Sequence, residues 1–181
     1  MSMVLRSQRI HPWTRDDLAR LPDDGNRYEV LDGALLVTPQ VAYTHQRVAS
    51  RLAFTLGEYC RRHDIGCVVG PGAVPHGDSE LQPDIQVIPG RPAFSAEWTE
   101  LPTPMLVVEV LSPSTKRRDF GIKRDAYLRW GVAEYWIVDI DARCVHVSRR
   151  SEEMKTVDAK VVWKPNAVAP ACEIRVAELF A

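Results

Sequence analysis

The 181-residue sequence contains no pair of cysteines spaced CxxC. Its four cysteines, Cys60, Cys67, Cys144 and Cys172, therefore support neither a zinc knuckle nor a thioredoxin-like redox motif. They read as small buried hydrophobes in a reducing cytosol, with a Cys60–Cys67 bridge as the one alternative. No apolar run approaches the roughly 20 residues that span a bilayer, and the N-terminus carries no secretory signal. A cytoplasmic protein without a membrane partner is expected. The sequence also lacks a GxxxxGK phosphate loop, a GxSxG nucleophile elbow and an HExxH zinc helix. There is no internal repeat, long linker or low-complexity segment. The formal net charge is only -1, so binding of a polyanion would have to rest on local basic clusters. Such clusters are Lys116-Arg117-Arg118, Lys123-Arg124 and Arg61-Arg62, the last reading as solvated surface.

Hydrophobic residues make up 45% of the chain and charged residues 26%. That composition suits one compact domain over residues 1–181, with residues 1–10 as a loose arm. Thr14 is placed to cap a short helix, with Asp16 and Asp17 in its positively polarised first turn. RYEVLDGALLV follows, and its Asp32-Gly33 predicts a hairpin, because this pair tolerates the positive φ of a type I′ turn. From residue 43 to 63 the period becomes helical, with Thr44 as the expected cap. Val48, Leu52, Leu56 and Tyr59 fall on one stripe, with Ala49, Ala53 and Cys60 beside it. Three strands are then expected, in Cys67-Val68-Val69, in LQPDIQVI and in MLVVEVL. A second helix should start near Ser114 or Arg118 and run to Trp130, where Gly131 ends it. EYWIVDI and RCVHVSR read as strands joined at Asp141-Ala142, with VVWK extending the meander and RVAELF forming a last helix. Mixed elements around one sheet imply an α/β or α+β sandwich.

The informative residue is Glu109. A carboxylate inside an otherwise apolar strand is costly to bury unless it is paired or bound to a metal. Asp84 gains meaning in its company: if the two strands are neighbours, both carboxylates can converge on one hard cation. Mg²⁺ takes oxygen ligands in octahedral geometry and keeps some waters, and the backbone carbonyl of Val110 is a further oxygen within reach. Lys123 has two readings. It can form a surface pair with Asp119, four residues earlier on the predicted helix. Alternatively it turns inward, to orient a water or offset developing negative charge.

The segments RYEVLDG, QPDIQVI, LVVEVLSPST and RRDFGIKRDAYLRWGVAEYWIVD resemble the Uma family of restriction-endonuclease-like proteins, from about residue 27 to the C-terminal helix. The resemblance implies a PD-(D/E)XK nuclease core: a central mixed sheet flanked by helices, here with an N-terminal β-hairpin and a C-terminal β-meander. It matches Pro83-Asp84 to the first acid and Glu109 to the second. Leu111 stands where the plain superfamily pattern has lysine, and the resemblance moves that lysine to Lys123. Glu29 and His45 match further family positions, Glu29 reaching the site or lying exposed, His45 contacting phosphate or water or serving at the helix start. Tyr127, a turn beyond Lys123, faces the site or packs in the core.

What this implies is an endonuclease that hydrolyses phosphodiester bonds in DNA with Mg²⁺ or Mn²⁺, the metal on Asp84, Glu109 and the Val110 carbonyl, and flanking phosphates on Lys116, Arg117 and Arg118. Cutting both strands with one site per chain points to a homodimer. Two other classes compete: a nuclease-fold module that binds nucleic acid or protein without cleaving, and a structural dimerisation protein. Metal binding through both acids separates the first from an enzyme; assembly indifferent to Asp84 and Glu109 marks the second.

Overall fold

The computed structural model describes residues 11–181, so the expected N-terminal arm lies outside the described residues. Its centre is a six-stranded mixed sheet. In chain order the elements are α1 (Arg15–Leu18), β1 (Arg27–Leu31), β2 (Ala34–Thr38), α2 (Tyr43–His63), β3 (Gly66–Val69), β4 (Val74–His76), β5 (Ser79–Leu81) and β6 (Ile85–Pro89). Then come β7 (Leu106–Val110), α3 (Lys116–Arg118), α4 (Arg124–Arg129), β8 (Glu134–Asp139), β9 (Cys144–Arg149), β10 (Lys155–Val157), β11 (Lys160–Trp163), β12 (Cys172–Arg175) and α5 (Val176–Leu179). The large sheet runs β10-β9-β8-β7-β6-β3, a smaller one runs β2-β1-β5-β4, and β11 pairs with β12.

Local chemistry explains most of this. Asp32 and Gly33 both take positive φ, 48° and 80°, so the β1–β2 hairpin closes on the expected turn with Leu31 opposite Ala34. The Thr14 amide donates to the Asp17 carboxylate at 3.0 Å and fixes the start of α1. Helix α2 buries Val48, Ala49, Leu52, Leu56 and Cys60, the expected stripe, while Tyr59 is only partly covered. Its cap is Ala42 rather than Thr44, which lies inside the first turn. Leu52 and Leu56 are fully enclosed, each worth about 1.5–3 kcal/mol of burial. Gly131, at φ 98°, ends α4.

Strand β7 is buried at all five positions because both faces of the sheet are covered. Leu106, Val108 and Val110 pack with α2, α5 and the β11–β12 pair. Val107 and Leu111 point the other way, into a core shared with the small sheet and α4. By alternation Glu109 belongs to this second face. β7 and β8 run parallel, whereas the other pairs in this sheet are antiparallel. A parallel pair needs a long crossover, and residues 111–133, carrying α3 and α4, provide it.

Three further expectations are corrected. LQPDIQVI is not one strand: it divides at Gln82-Pro83-Asp84, so that β5 joins the small sheet and β6 the large one. Proline cannot donate to a ladder, which makes it a natural exit point. VVWK does not extend the meander; β10 does, and β11 pairs with β12, a strand the sequence pattern did not reveal. The second helix is not continuous, because residues Asp119–Lys123 form a wider turn kinked at Gly121, with φ -112° and ψ -105°. All four cysteines are free, so there is no Cys60–Cys67 bridge. Among the described residues no helix is long and apolar enough to cross a membrane.

Candidate active site

Strand register brings the two acids together. Ile85 pairs with Val108 in the antiparallel β6–β7 ladder, so the register continued by one residue sets Asp84 opposite Glu109. The Val110 amide donates to Asp84 Oδ2 at 2.8 Å. The N–H of Val110 thus anchors Asp84, a role separate from the one expected of its carbonyl. His45 Nε2, from the first turn of α2, lies 3.1 Å from Asp84 Oδ2, and an Arg27 guanidinium N–H donates to Asp84 Oδ1 at 3.0 Å. Burial alone would raise the Asp84 pKa, but His45, Arg27 and the Val110 amide together hold it down at about 2.

The widened turn before α4 delivers Lys123 inward. Its ammonium is fully enclosed, 2.7 Å from Glu29 Oε1 and 3.0 Å from Glu109 Oε1. The surface pairing with Asp119 is therefore excluded: Asp119 is itself 1% exposed. Burial works against the charge on Lys123, but Glu109, Glu29 and Asp119 overcome it and raise its pKa. The Tyr127 hydroxyl donates to Glu109 Oε1 at 3.4 Å, so the ring is both core and site. Glu29 projects from β1 and also accepts the Gln82 amide at 2.7 Å, which anchors the link that carries Asp84.

The charge balance of this cluster is unusual. Four enclosed carboxylates, Glu29, Asp84, Glu109 and Asp119, face two permanent cations, Arg27 and Lys123, a formal excess of two negative charges. Desolvation pushes the Glu109 pKa up to about 8; Lys123 opposes this, while Asp84 and Asp119 add to it. Asp119 is raised as well, chiefly by burial. Among the described residues Glu29 Oε2 is buried without a hydrogen-bond partner. Hard carboxylate oxygens with a formal excess of two negative charges suit a divalent ion such as Mg²⁺ or Mn²⁺. Even so, among the described residues no three His, Cys, Asp or Glu side chains converge as a preformed ion cage, because the oxygens of Asp84 are turned to Arg27, His45 and the Val110 amide.

The structure thus gathers Asp84, Glu109, Lys123, Glu29 and His45 in one place. It does not gather the basic run. Arg118 is buried and donates to the Val37 carbonyl at 3.3 Å and to Thr38 Oγ1 at 3.0 Å, pinning α3 to β2. Arg117 is exposed, and Lys116 lies 3.4 Å from Asp139 across a cleft that His45 also lines. Sequence reasoning missed Arg27. The available signal was its place two residues before Glu29 on one strand, since alternate positions share a face.

Residues 15–177 match the Uma2 family, described as "Putative restriction endonuclease". The chain belongs to that family. Its fold is that of a protein from Anabaena variabilis ATCC 29413 described as a "putative nuclease belonging to DUF820". The two superpose with a TM-score of 0.73 at 21% sequence identity, over 93% of this chain and 98% of that one. No curated protein matches the sequence.

Proposed function

We propose that the protein is a metal-dependent endonuclease that hydrolyses phosphodiester bonds in DNA. The observation that carries the proposal is the enclosed Lys123, held between Glu29 and Glu109 beside Asp84, with each residue delivered by a different element. Asp84 and Glu109 are the residues that would hold Mg²⁺ or Mn²⁺, with the Val110 carbonyl as a further oxygen. When bound, such an ion lowers the pKa of a water and polarises a phosphate.

The chain's own residues do the rest. Lys123 has three N–H donors; two face Glu29 and Glu109, and, since the ammonium is fully enclosed, the third can serve only a water admitted into the cluster. Glu29 Oε2, with no donor of its own, is an acceptor for a proton of that water. His45 keeps Asp84 oriented from α2. Lys116 and Arg117 remain as exposed contacts for flanking phosphates, while Arg118 leaves that set. On this reading the partner is DNA, and a homodimer presents one site to each strand.

The test is a cleavage assay on linear, supercoiled, single-stranded and RNA substrates with Mg²⁺, Mn²⁺ or EDTA. We expect metal-dependent cleavage of DNA that is abolished in Glu109→Gln and Lys123→Met. A folded protein that binds Mn²⁺ through neither acid and cuts none of the substrates would leave only a binding module. Light scattering at micromolar concentration checks the dimer; a strict monomer contradicts it.

A further inference from the structure

We infer that Arg27 is an internal stand-in for the divalent cation: its guanidinium holds Asp84 in the metal-free chain and gives it up when the ion binds. The inference rests on the metal-dependent reading above and assigns a positioning role to a residue outside the acid–acid–lysine set.

Arg27 opens β1, and its side chain is 18% exposed, against 6% for Asp84 and none for Lys123. Of the two cations in the cluster, Arg27 is thus the one that reaches solvent. Burial opposes its charge, yet Glu109, Glu29 and Asp84 outweigh that and stabilise it. The guanidinium therefore sits in the combined field of three carboxylates, two of which are the proposed metal ligands. A divalent ion entering the cluster would be drawn by the same groups.

Its attachment is also incomplete. A guanidinium has five N–H donors, and arginines built into a fold commonly grip a carboxylate through two of them. Among the described residues Arg27 makes one hydrogen bond to Asp84, at 3.0 Å, and its Nε is buried without a partner. Arg118, a purely structural arginine, also leaves its Nε without a partner but uses both terminal nitrogens on β2, where Arg27 uses one on Asp84. Asp84, moreover, does not depend on Arg27 for its place, since His45 and the Val110 amide hold its other oxygen. Exchange of the guanidinium for an ion frees Oδ1 and leaves the carboxylate anchored. Two positive groups cannot share that oxygen without repulsion, so Arg27 and the ion compete.

The test is calorimetric titration of Mn²⁺ into metal-free wild type, Arg27→Gln, Arg27→Lys and Asp84→Asn at fixed pH and ionic strength. Removing a competing charge should tighten Mn²⁺ binding by roughly tenfold in Arg27→Gln, while Arg27→Lys stays near wild type and Asp84→Asn loses binding. Equal or weaker binding by a folded Arg27→Gln, with wild type binding normally, overturns the inference and leaves the metal site standing. Binding by none of the proteins overturns the metal reading and this inference with it. If Arg27→Gln does not fold, the wild type decides. Its Arg27 Nε–H resonance, identified by its absence from Arg27→Lys, should shift on titration with diamagnetic Mg²⁺. An unchanged resonance at saturating Mg²⁺ overturns the inference.

Discussion

Lys123 and Glu109 are fourteen residues apart in sequence and 3.0 Å apart in space, both shielded from water. An isolated buried pair of this kind would be broken at a cost on the order of 3–5 kcal/mol by removing either partner. Here the two partners are not equivalent, because Lys123 also has Glu29 at 2.7 Å. Glu109→Gln leaves the lysine paired and removes one charge from a cluster with a negative excess. Its metal-free stability at pH 8 should lie within about 1 kcal/mol of wild type, the amide oxygen still accepting from Lys123. Lys123→Met strands two carboxylates and should cost on the order of 3–5 kcal/mol. Urea melts of the two variants check the ordering; a larger loss in Glu109→Gln contradicts it.

The same asymmetry sets a pH dependence. The folded-state pKa of Glu109 is raised from 4.5 to about 8, so between those values the folded protein keeps a proton that the unfolded chain has released. Stability from this group is full below about pH 4.5 and is lost as pH rises through 8. Asp84 acts in the opposite sense: lowered from 3.8 to about 2, it contributes stability above pH 4 that is lost as pH falls toward 2. We expect metal-free wild type to weaken relative to Glu109→Gln between pH 5 and 8, by a few kcal/mol at most. Mn²⁺ binding near pH 7 should release a proton, read as a dependence of binding heat on buffer ionisation enthalpy. A wild type and Glu109→Gln that keep a constant gap across this range would contradict the assignment.

Much of this site was legible because its signals are local. Glu109 is conspicuous inside five buried strand positions, the Asp32-Gly33 turn needs only its own backbone, and Lys123 came from the family resemblance. What escaped depends on partners distant in sequence. Pro83 marks a break, but only pairing with β1 shows that β5 leaves for another sheet. Arg118 looks like its neighbours Lys116 and Arg117 until β2 supplies Val37 and Thr38 as acceptors. Arg27 reads as an ordinary strand-end charge until Asp84, 57 residues later, is placed against it.

The basic run should therefore divide by function. Arg118→Ala removes two bonds to β2 and is expected to cost about 1–3 kcal/mol of stability. Lys116→Ala and Arg117→Ala should melt within about 0.5 kcal/mol of wild type. Each should lower DNA affinity and reduce the slope of log K against log salt by about one. Anisotropy titrations at several salt concentrations check this. Unchanged slopes in both exposed variants would remove the run from the interface.

Thiol reactivity offers a test of the core. Burial pushes the Cys60 and Cys172 thiols up to about 11, so little thiolate forms at neutral pH. Cys67 is the only one of the four that is not buried. In native protein a disulfide reagent should label Cys67 first and the other three only on unfolding. Rapid release of several equivalents from folded protein would contradict the packing.

The division of the chain at Pro83 gives the site a seam. Glu29 and Arg27 ride on the small sheet, Glu109 on the large one, and Lys123 on the crossover between β7 and β8. Among the described residues no backbone ladder joins the two sheets. They are held by side-chain packing and by the link that Glu29 grips at Gln82. A shift of one sheet against the other would thus stretch the ionic contacts before it broke any ladder hydrogen bond. The geometry of the charged cluster is set by how the two sheets meet, and substitutions in their shared packing, at Leu31, Leu81 or Tyr135, can alter it without touching a charged group.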